Sequence, residues 1–206
     1  MQAAKGRGSS PVGRSAGLDD APAVTACLAS AFYDDPLWGR WTFPDAAGRA
    51  DGLYGLMRFW VLGALRYPAV RMTDGAEAVA VWLPPGASEM TSEQETAFEA
   101  FISETLGRRA REVLTLLERF AEHHPTHEPH YYLSLWATHR DHAGHGLGTT
   151  LIHEDLARID AEQMPAYLES TNPANIPRYA ALGFRPRDEF GPVDGPVITT
   201  MWREAR

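Results

Sequence analysis

Three observations in the sequence predict an α/β fold. Residues 131–138, Tyr-Tyr-Leu-Ser-Leu-Trp-Ala-Thr, form an aromatic and aliphatic run bounded by charge, the pattern of a buried strand. Leu147, Leu151, Ile152, Leu156 and Ile159 then recur at helical spacing, with the turn Ala143-Gly144-His145-Gly146-Leu147-Gly148 between strand and helix. Upstream, the apolar runs 69–73 and 77–83 flank Asp74-Gly75, a hairpin signal. Backbone N–H groups at a helix start lack intrahelical partners and lie at the positive end of the helix dipole. Glycine there lets the backbone approach a bulky anion and take positive φ. The turn therefore reads either as a phosphate cradle or as a tight connection with no ligand.

The 206 residues suit one domain with a single core. Residues 1–11, rich in Gly and Ser and closed by Pro11, are expected to be a flexible leader, and 12–206 a single domain. Lys5 and Arg7 stand near the start without an apolar core, which does not fit a secretory signal. No apolar run approaches the ~20 residues that span a bilayer. The single Cys27, on an apolar helical face, reads as a packed core thiol in a reducing cytoplasm. A net charge of −8 argues against general nucleic-acid or anionic-membrane binding and mildly favours a cationic substrate.

In chain order, a short strand is expected over 12–16. Asp19 and Asp20 then offer an N-cap for a helix whose buried stripe is Val24, Leu28, Ala31 and Phe32. Asp34-Asp35-Pro36 stops that helix near Tyr33. The next stretch is dense in aromatics: Phe32, Tyr33, Trp38, Trp41 and Phe43, with the acidic pair among them. It reads either as an acceptor-binding wall, Asp34 or Asp35 facing a substrate amine, or as local packing over the core. A second helix buries Leu53, Leu56, Met57, Trp60, Val61, Ala64 and Leu65. After the hairpin, Pro84-Pro85-Gly86 ends the strand, and helices are expected over 92–106 and 109–121. Arg108, Arg109 and Arg111 read as a solvated helix face or as a contact for an acidic donor or partner. His123, His124, His127 and His130 have neither a cysteine companion nor an HExxH or zinc-finger spacing, so a polar surface connection is expected and no metal. A strand over 166–170, a short helix 175–182 with Gly183 as its C-cap, and a final strand pair around Gly195-Pro196 complete the chain.

The strand, glycine turn and helix, then Leu168-Glu169-Ser170, then Asn175…Tyr179…Leu182-Gly183-Phe184, resemble the GNAT acyltransferase superfamily. More closely they are similar to puromycin N-acetyltransferase and related actinobacterial enzymes. Ala78-Val79-Ala80-Val81-Trp82, Glu128-Pro129, Asp141-His142 and Pro165-Ala166 carry the closer likeness, which is strongest over 128–190. The resemblance implies a mixed, mostly antiparallel central sheet splayed in the middle and flanked by helices. It implies direct transfer of an acyl group from acetyl-CoA or another acyl-CoA to an amine of an antibiotic or natural-product intermediate. By analogy, the pantetheine pairs with the backbone of Leu135, Trp136, Ala137 and Thr138. The pyrophosphate is held by N–H groups of Ala143, Gly144, His145, Gly146, Leu147, Gly148 and Thr149, with Asn175 nearby. Tyr179 matches the tyrosine that protonates the departing thiolate, and Glu169 a glutamate that acts as base or anchors the amine. Phe32, Tyr33, Asp34, Trp38 and Trp136 are the expected acceptor-binding residues, in a monomer or homodimer.

The turn departs from the family pattern in two places. Ala143 stands where Gln or Arg is usual, and His145 where Lys or Arg is common. Backbone cradling survives both changes, but cationic help to a pyrophosphate is weakened. A phosphopantetheine arm on an acyl carrier protein, with one phosphodiester, needs less positive charge, and Arg108, Arg109 and Arg111 would then meet the acidic carrier. A non-catalytic GNAT-like binding protein is the remaining alternative.

Overall fold

The computed structural model describes residues 12–206, so the expected leader lies outside the described residues. Strands β1 (Gly13–Ser15), β2 (Val70–Thr73), β3 (Ala78–Leu83), β4 (Tyr131–Thr138), β5 (Ala166–Ser170), β6 (Arg185–Phe190) and β7 (Ile198–Arg203) form one seven-stranded sheet in the order β1-β2-β3-β4-β5-β7-β6. Every neighbouring pair is antiparallel except β4–β5. Helices α1 (Ala21–Phe32), α2 (Ala46–Ala64), α3 (Ser92–Leu106) and α4 (Ala110–His123) cover one face with Val79, Val81 and Leu83; α5 (Leu147–Ala161) and α6 (Ile176–Ala181) meet the other with Ala78, Ala80 and Trp82. β3 is buried on both sides, which explains its unbroken apolar run.

The parallel pair β4–β5 is short. Only Tyr131–Leu133 pairs with Ala166–Leu168; beyond it, β4 stays with β3 and β5 with β7. The two central strands therefore diverge, leaving unpaired backbone groups along the gap. A bulge accompanies the split: Val81 lies opposite Leu135 but Trp82 opposite Leu133, so Ser134 is the extra residue. An inserted residue reverses side-chain parity. Leu133 accordingly packs with α5, while Leu135, two residues on, packs on the opposite face.

Local chemistry explains the element ends. Thr91 and Gln94 form a reciprocal capping box at the start of α3. α1 stops at the Asp34-Asp35-Pro36 break, where Asp35 turns extended and its carboxylate accepts from the N–H groups of Leu37 and Trp38. Pro36–Trp41 then forms one wide helical turn closed by i→i+5 bonds, Arg40 N–H to Asp35 O and Thr42 N–H to Leu37 O. The expected N-cap at Asp20 is not used: its carboxylate binds Arg14 at 2.6 Å and the Gly17 N–H instead. Underneath the sheet, buried Arg71 of β2 and Trp82 of β3 each donate to Asp155 of α5 at 3.2 Å. These bonds fix the helix that follows the glycine turn.

Candidate active site

The glycine turn opens α5. Gly146 is its N-cap, with φ 79°, and Gly144 has φ 82°. A Cβ at either would meet nothing within 4 Å, so the left-handed backbone, not lack of space, selects glycine there. The first amide closed into the helix is that of Thr150, donating to Gly146 O at 2.9 Å. The N–H groups of Leu147, Gly148 and Thr149 are thus the unpaired helix-start donors. Gly148 is selected by space: a Cβ there would lie 2.4 Å from Thr138 Oγ1. The Trp136 indole donates to the Gly148 carbonyl at 3.2 Å, holding the helix start against the end of β4.

A groove of about 550 Å³ runs over this turn. Trp136, Ala137, Thr138, Ala143, Gly144, Gly146, Gly148, Thr149 and Asn175 all line it. His145 is exposed, with Nδ1 near the His142 carbonyl at 3.2 Å, and Leu147 packs inward on the α5-side core. The positive charge missing from Ala143 and His145 comes from elsewhere. Arg140 and Arg178 line the same groove, Arg178 lying over the Trp136 ring at 5.6 Å.

Behind the groove, at the splay, lies a cavity of about 110 Å³. Phe32, Asp35, Trp136 and Asn175 border both spaces. On its far side the cavity meets an outer cleft of about 1110 Å³, sharing Trp60, Glu89, Leu117, Phe120, Tyr132 and Glu169 with it. The cavity is thus the junction between two openings.

The junction gathers the reactive groups. Glu169, at the end of β5 where pairing with β4 has ceased, has a side chain only 3% exposed, and His124 Nδ1 lies 3.6 Å from its Oε1. Glu89 reaches in from the loop 84–91 and accepts from the Ser134 hydroxyl at the bulge. Burial pushes the Glu89 pKa up to about 6; the Ser134 bond opposes this and the negative charge of Glu169 adds to it. Burial, then Glu169 and Glu89, raise the Tyr132 pKa well above its ordinary value. Tyr179 lines the junction with its ring 5.7 Å from Trp136, and burial pushes its pKa up to about 12. It is therefore a neutral phenol at physiological pH. Leu135 lines the junction beside it.

The aromatic stretch divides. Trp38 is buried, packs edge-on against Trp60 at 5.0 Å and stacks on Phe120 at 5.7 Å, and walls the junction. Phe32 borders junction and groove. Tyr33 lines neither: its ring lies under the Arg49 and Arg140 guanidinium groups, at 5.1 and 5.0 Å. Asp34 borders the groove and pairs with Arg40 at 3.1 Å, away from the junction. Asp35 faces the junction, but its oxygens are occupied by Leu37, Trp38 and the Thr171 hydroxyl, so it anchors the loop.

Two further expectations are corrected. The histidine stretch is not simply a surface connection: His130 is buried, and His124 faces Glu169 among the rings of Tyr132 and Tyr167. Among the described residues no group of three His, Cys, Asp or Glu is arranged to hold a metal ion. Arg109 is tied down, lying over Trp41 at 4.3 Å and donating to its carbonyl at 2.8 Å, while Arg108 and Arg111 are exposed. Sequence reasoning missed Glu89, Ser134, Arg140 and Arg178. Only Arg178, one residue before Tyr179 in the family-like segment, carried a usable local signal.

Residues 110–184 match the family model described as Acetyltransferase (GNAT) family. The solved structure of a Corynebacterium glutamicum protein, described as histone acetyltransferase HPA2 and related acetyltransferase, is similar at 25% identity and a TM-score of 0.71, over 96% of this chain and 98% of that one. Arylalkylamine N-acetyltransferase 2 from Aedes aegypti is similar at 14% identity and a TM-score of 0.65, over 94% and 98%. A mosquito arylalkylamine N-acetyltransferase like 5b is similar at 19% and 0.62, over 94% and 99%. The splayed seven-stranded sheet is the GNAT fold, and together with the family match it supports N-acyltransferase activity within the GNAT acetyltransferase superfamily for this chain.

Proposed function

We propose that the protein moves an acyl group, acetyl in the simplest case, directly from coenzyme A to the primary amine of a small molecule with an apolar body. One observation carries this reading: the junction holding Glu169, Glu89 and Tyr179 joins the glycine-turn groove to the outer cleft. The donor enters from one side and the acceptor from the other.

On the donor side, the helix-start N–H groups and the guanidinium groups of Arg140 and Arg178 form a site for a diphosphate. This cationic pair offsets the loss at Ala143 and His145, and it exceeds what one phosphodiester requires. It favours free acyl-CoA over an acyl carrier protein. On the acceptor side, five glutamates line the outer cleft (Glu89, Glu99, Glu118, Glu128 and Glu169), with no Lys or Arg among the described residues there, so an ammonium is drawn in. Trp38, Trp60 and Phe120 receive its apolar body. Glu169 removes a proton from the ammonium, and the nitrogen attacks the thioester carbonyl. N–H groups of β4 left unpaired by the splay face the developing oxyanion. The neutral phenol of Tyr179 donates to the departing sulfur and recovers its proton from the nitrogen, which sheds its second hydrogen as the amide forms. Amine-bearing antibiotics and natural-product intermediates with an aromatic body are the acceptors we propose, and the likeness over 128–190 puts puromycin among the first to assay.

The test is steady-state thiol release with acetyl-CoA, with other acyl-CoAs and with an acyl carrier protein, against a panel of aromatic and aliphatic amines. Amine-dependent turnover with acyl-CoA is expected. Turnover with the carrier-bound thioester alone would replace the donor assignment.

A further inference from the structure

The proposed reaction converts an ammonium and a thioester into an amide, a thiol and one free proton. Two protons leave nitrogen and one reaches sulfur, so one proton must leave the junction in every turnover. The histidines before β4 offer the way out.

His130 Nδ1 lies 2.6 Å from the Glu128 carbonyl oxygen. A carbonyl only accepts, so Nδ1 carries the hydrogen. Burial lowers the His130 pKa, keeping the ring neutral with a lone pair on Nε2. That nitrogen is 3.3 Å from His124 Nε2, and a hydrogen bond there places the hydrogen on His124. A neutral His124 then turns its Nδ1 lone pair towards Glu169 Oε1, 3.6 Å away. Two acceptors would face one another, a conflict relieved when a proton sits between Glu169 and His124. Tyr132 and Tyr167, edge-on to the imidazole at 4.9 and 5.0 Å, hold it in this orientation.

We infer that His124 is a positioning and relay residue that receives the proton Glu169 takes from the acceptor ammonium and delivers it to the outer cleft. Glu169 borders both spaces, whereas His124 and His130 line only the outer one. The ammonium N–H bond breaks and its hydrogen joins a Glu169 oxygen. It then moves to His124 Nδ1, and the resulting imidazolium donates to Glu169 and His130 until solvent in the cleft removes the proton. The groups facing His124 are Glu169 and Tyr167 of β5, Tyr132 of β4, His130 just before it and Glu89 of the loop 84–91, while Glu128 acts on His130. This assignment rests on the acyl-transfer reading above.

The test pairs a kcat/KM profile between about pH 5 and 9 with ¹⁵N-histidine NMR of the same protein. The expected result is an acid limb whose midpoint coincides with the titration of His124. His124→Asn should lower kcat by about ten- to a thousand-fold, lose that limb, bind CoA as before in calorimetry, and regain activity with added imidazole. An unchanged profile in His124→Asn would overturn the assignment, as would an acid limb lost in Glu89→Gln but kept in His124→Asn. If His124→Asn does not fold, the wild-type spectra still decide: a His124 that keeps one neutral tautomer while the rate rises refutes the relay. Wild-type protein without acyl transfer would instead remove the parent reading, and the substrate-free NMR titration tells the two failures apart.

Discussion

Replacing Tyr179 by Phe separates chemistry from architecture. The ring packs near Trp136 and Phe184, at 5.7 and 6.3 Å, and Phe preserves both contacts. The hydroxyl has no hydrogen-bond partner among the described residues, so its removal leaves no buried group unsatisfied. Stability should therefore change by no more than about 0.5 kcal/mol. The proton donor to the departing thiolate is lost, and turnover should fall by about ten- to ten-thousand-fold, about 1.4–5.5 kcal/mol of transition-state stabilisation. The defect should appear equally in kcat and kcat/KM, measured as thiol release from acetyl-CoA with thermal melts in parallel. An acyl thioester of a more acidic thiol needs less protonation and should narrow the gap between variant and wild type. Unchanged kcat in a folded variant, or a loss confined to KM, would remove Tyr179 from the mechanism.

Three further outcomes follow from the same geometry. Arg178→Ala should raise the KM for acyl-CoA about five- to thirty-fold through loss of one charged contact of about 1–2 kcal/mol, with kcat little changed. Glu89 carries a folded pKa of about 6, above its ordinary value of 4.5. Its stabilising contribution is thus complete below about pH 4.5 and lost as pH rises through 6, so Glu89→Gln should gain on the wild type over that window, by no more than about 2 kcal/mol in denaturant titrations. Asp155→Ala strands the buried Arg71 guanidinium and the Trp82 indole, and chemical unfolding should show a loss of about 3–5 kcal/mol; a loss under 1 kcal/mol would show that the pair does not anchor α5.

The sequence carried local patterns well and convergent ones poorly. The strand Tyr131–Thr138, the glycine turn and α5 were legible because period and punctuation sit within one short stretch. The junction was only half legible. Glu169 and Tyr179 stood in a recognisable segment, but Glu89 meets Ser134 across 45 positions of chain, and nothing near either residue announces it. Arg140 and Arg178 restore to the groove the charge that Ala143 and His145 lack, from positions outside the turn. The bulge at Ser134 left no composition signal, although it sets which face Leu135 and Trp136 present. The aromatic density after Phe32 was plain. The wide helical turn Pro36–Trp41 then decided that Trp38 points inward and that Asp35, rather than Asp34, reaches the junction.

Direct transfer across the junction is the central claim, and initial-velocity kinetics test it most directly. Cys27, the single cysteine, is 1% exposed with a pKa pushed by burial to about 12, so it is no acyl carrier. Varying acyl-CoA at several fixed amine concentrations should give intersecting double-reciprocal lines, because both substrates must occupy the junction together. Parallel lines, with an acylated protein trapped in the absence of amine, would show a covalent intermediate and contradict the account.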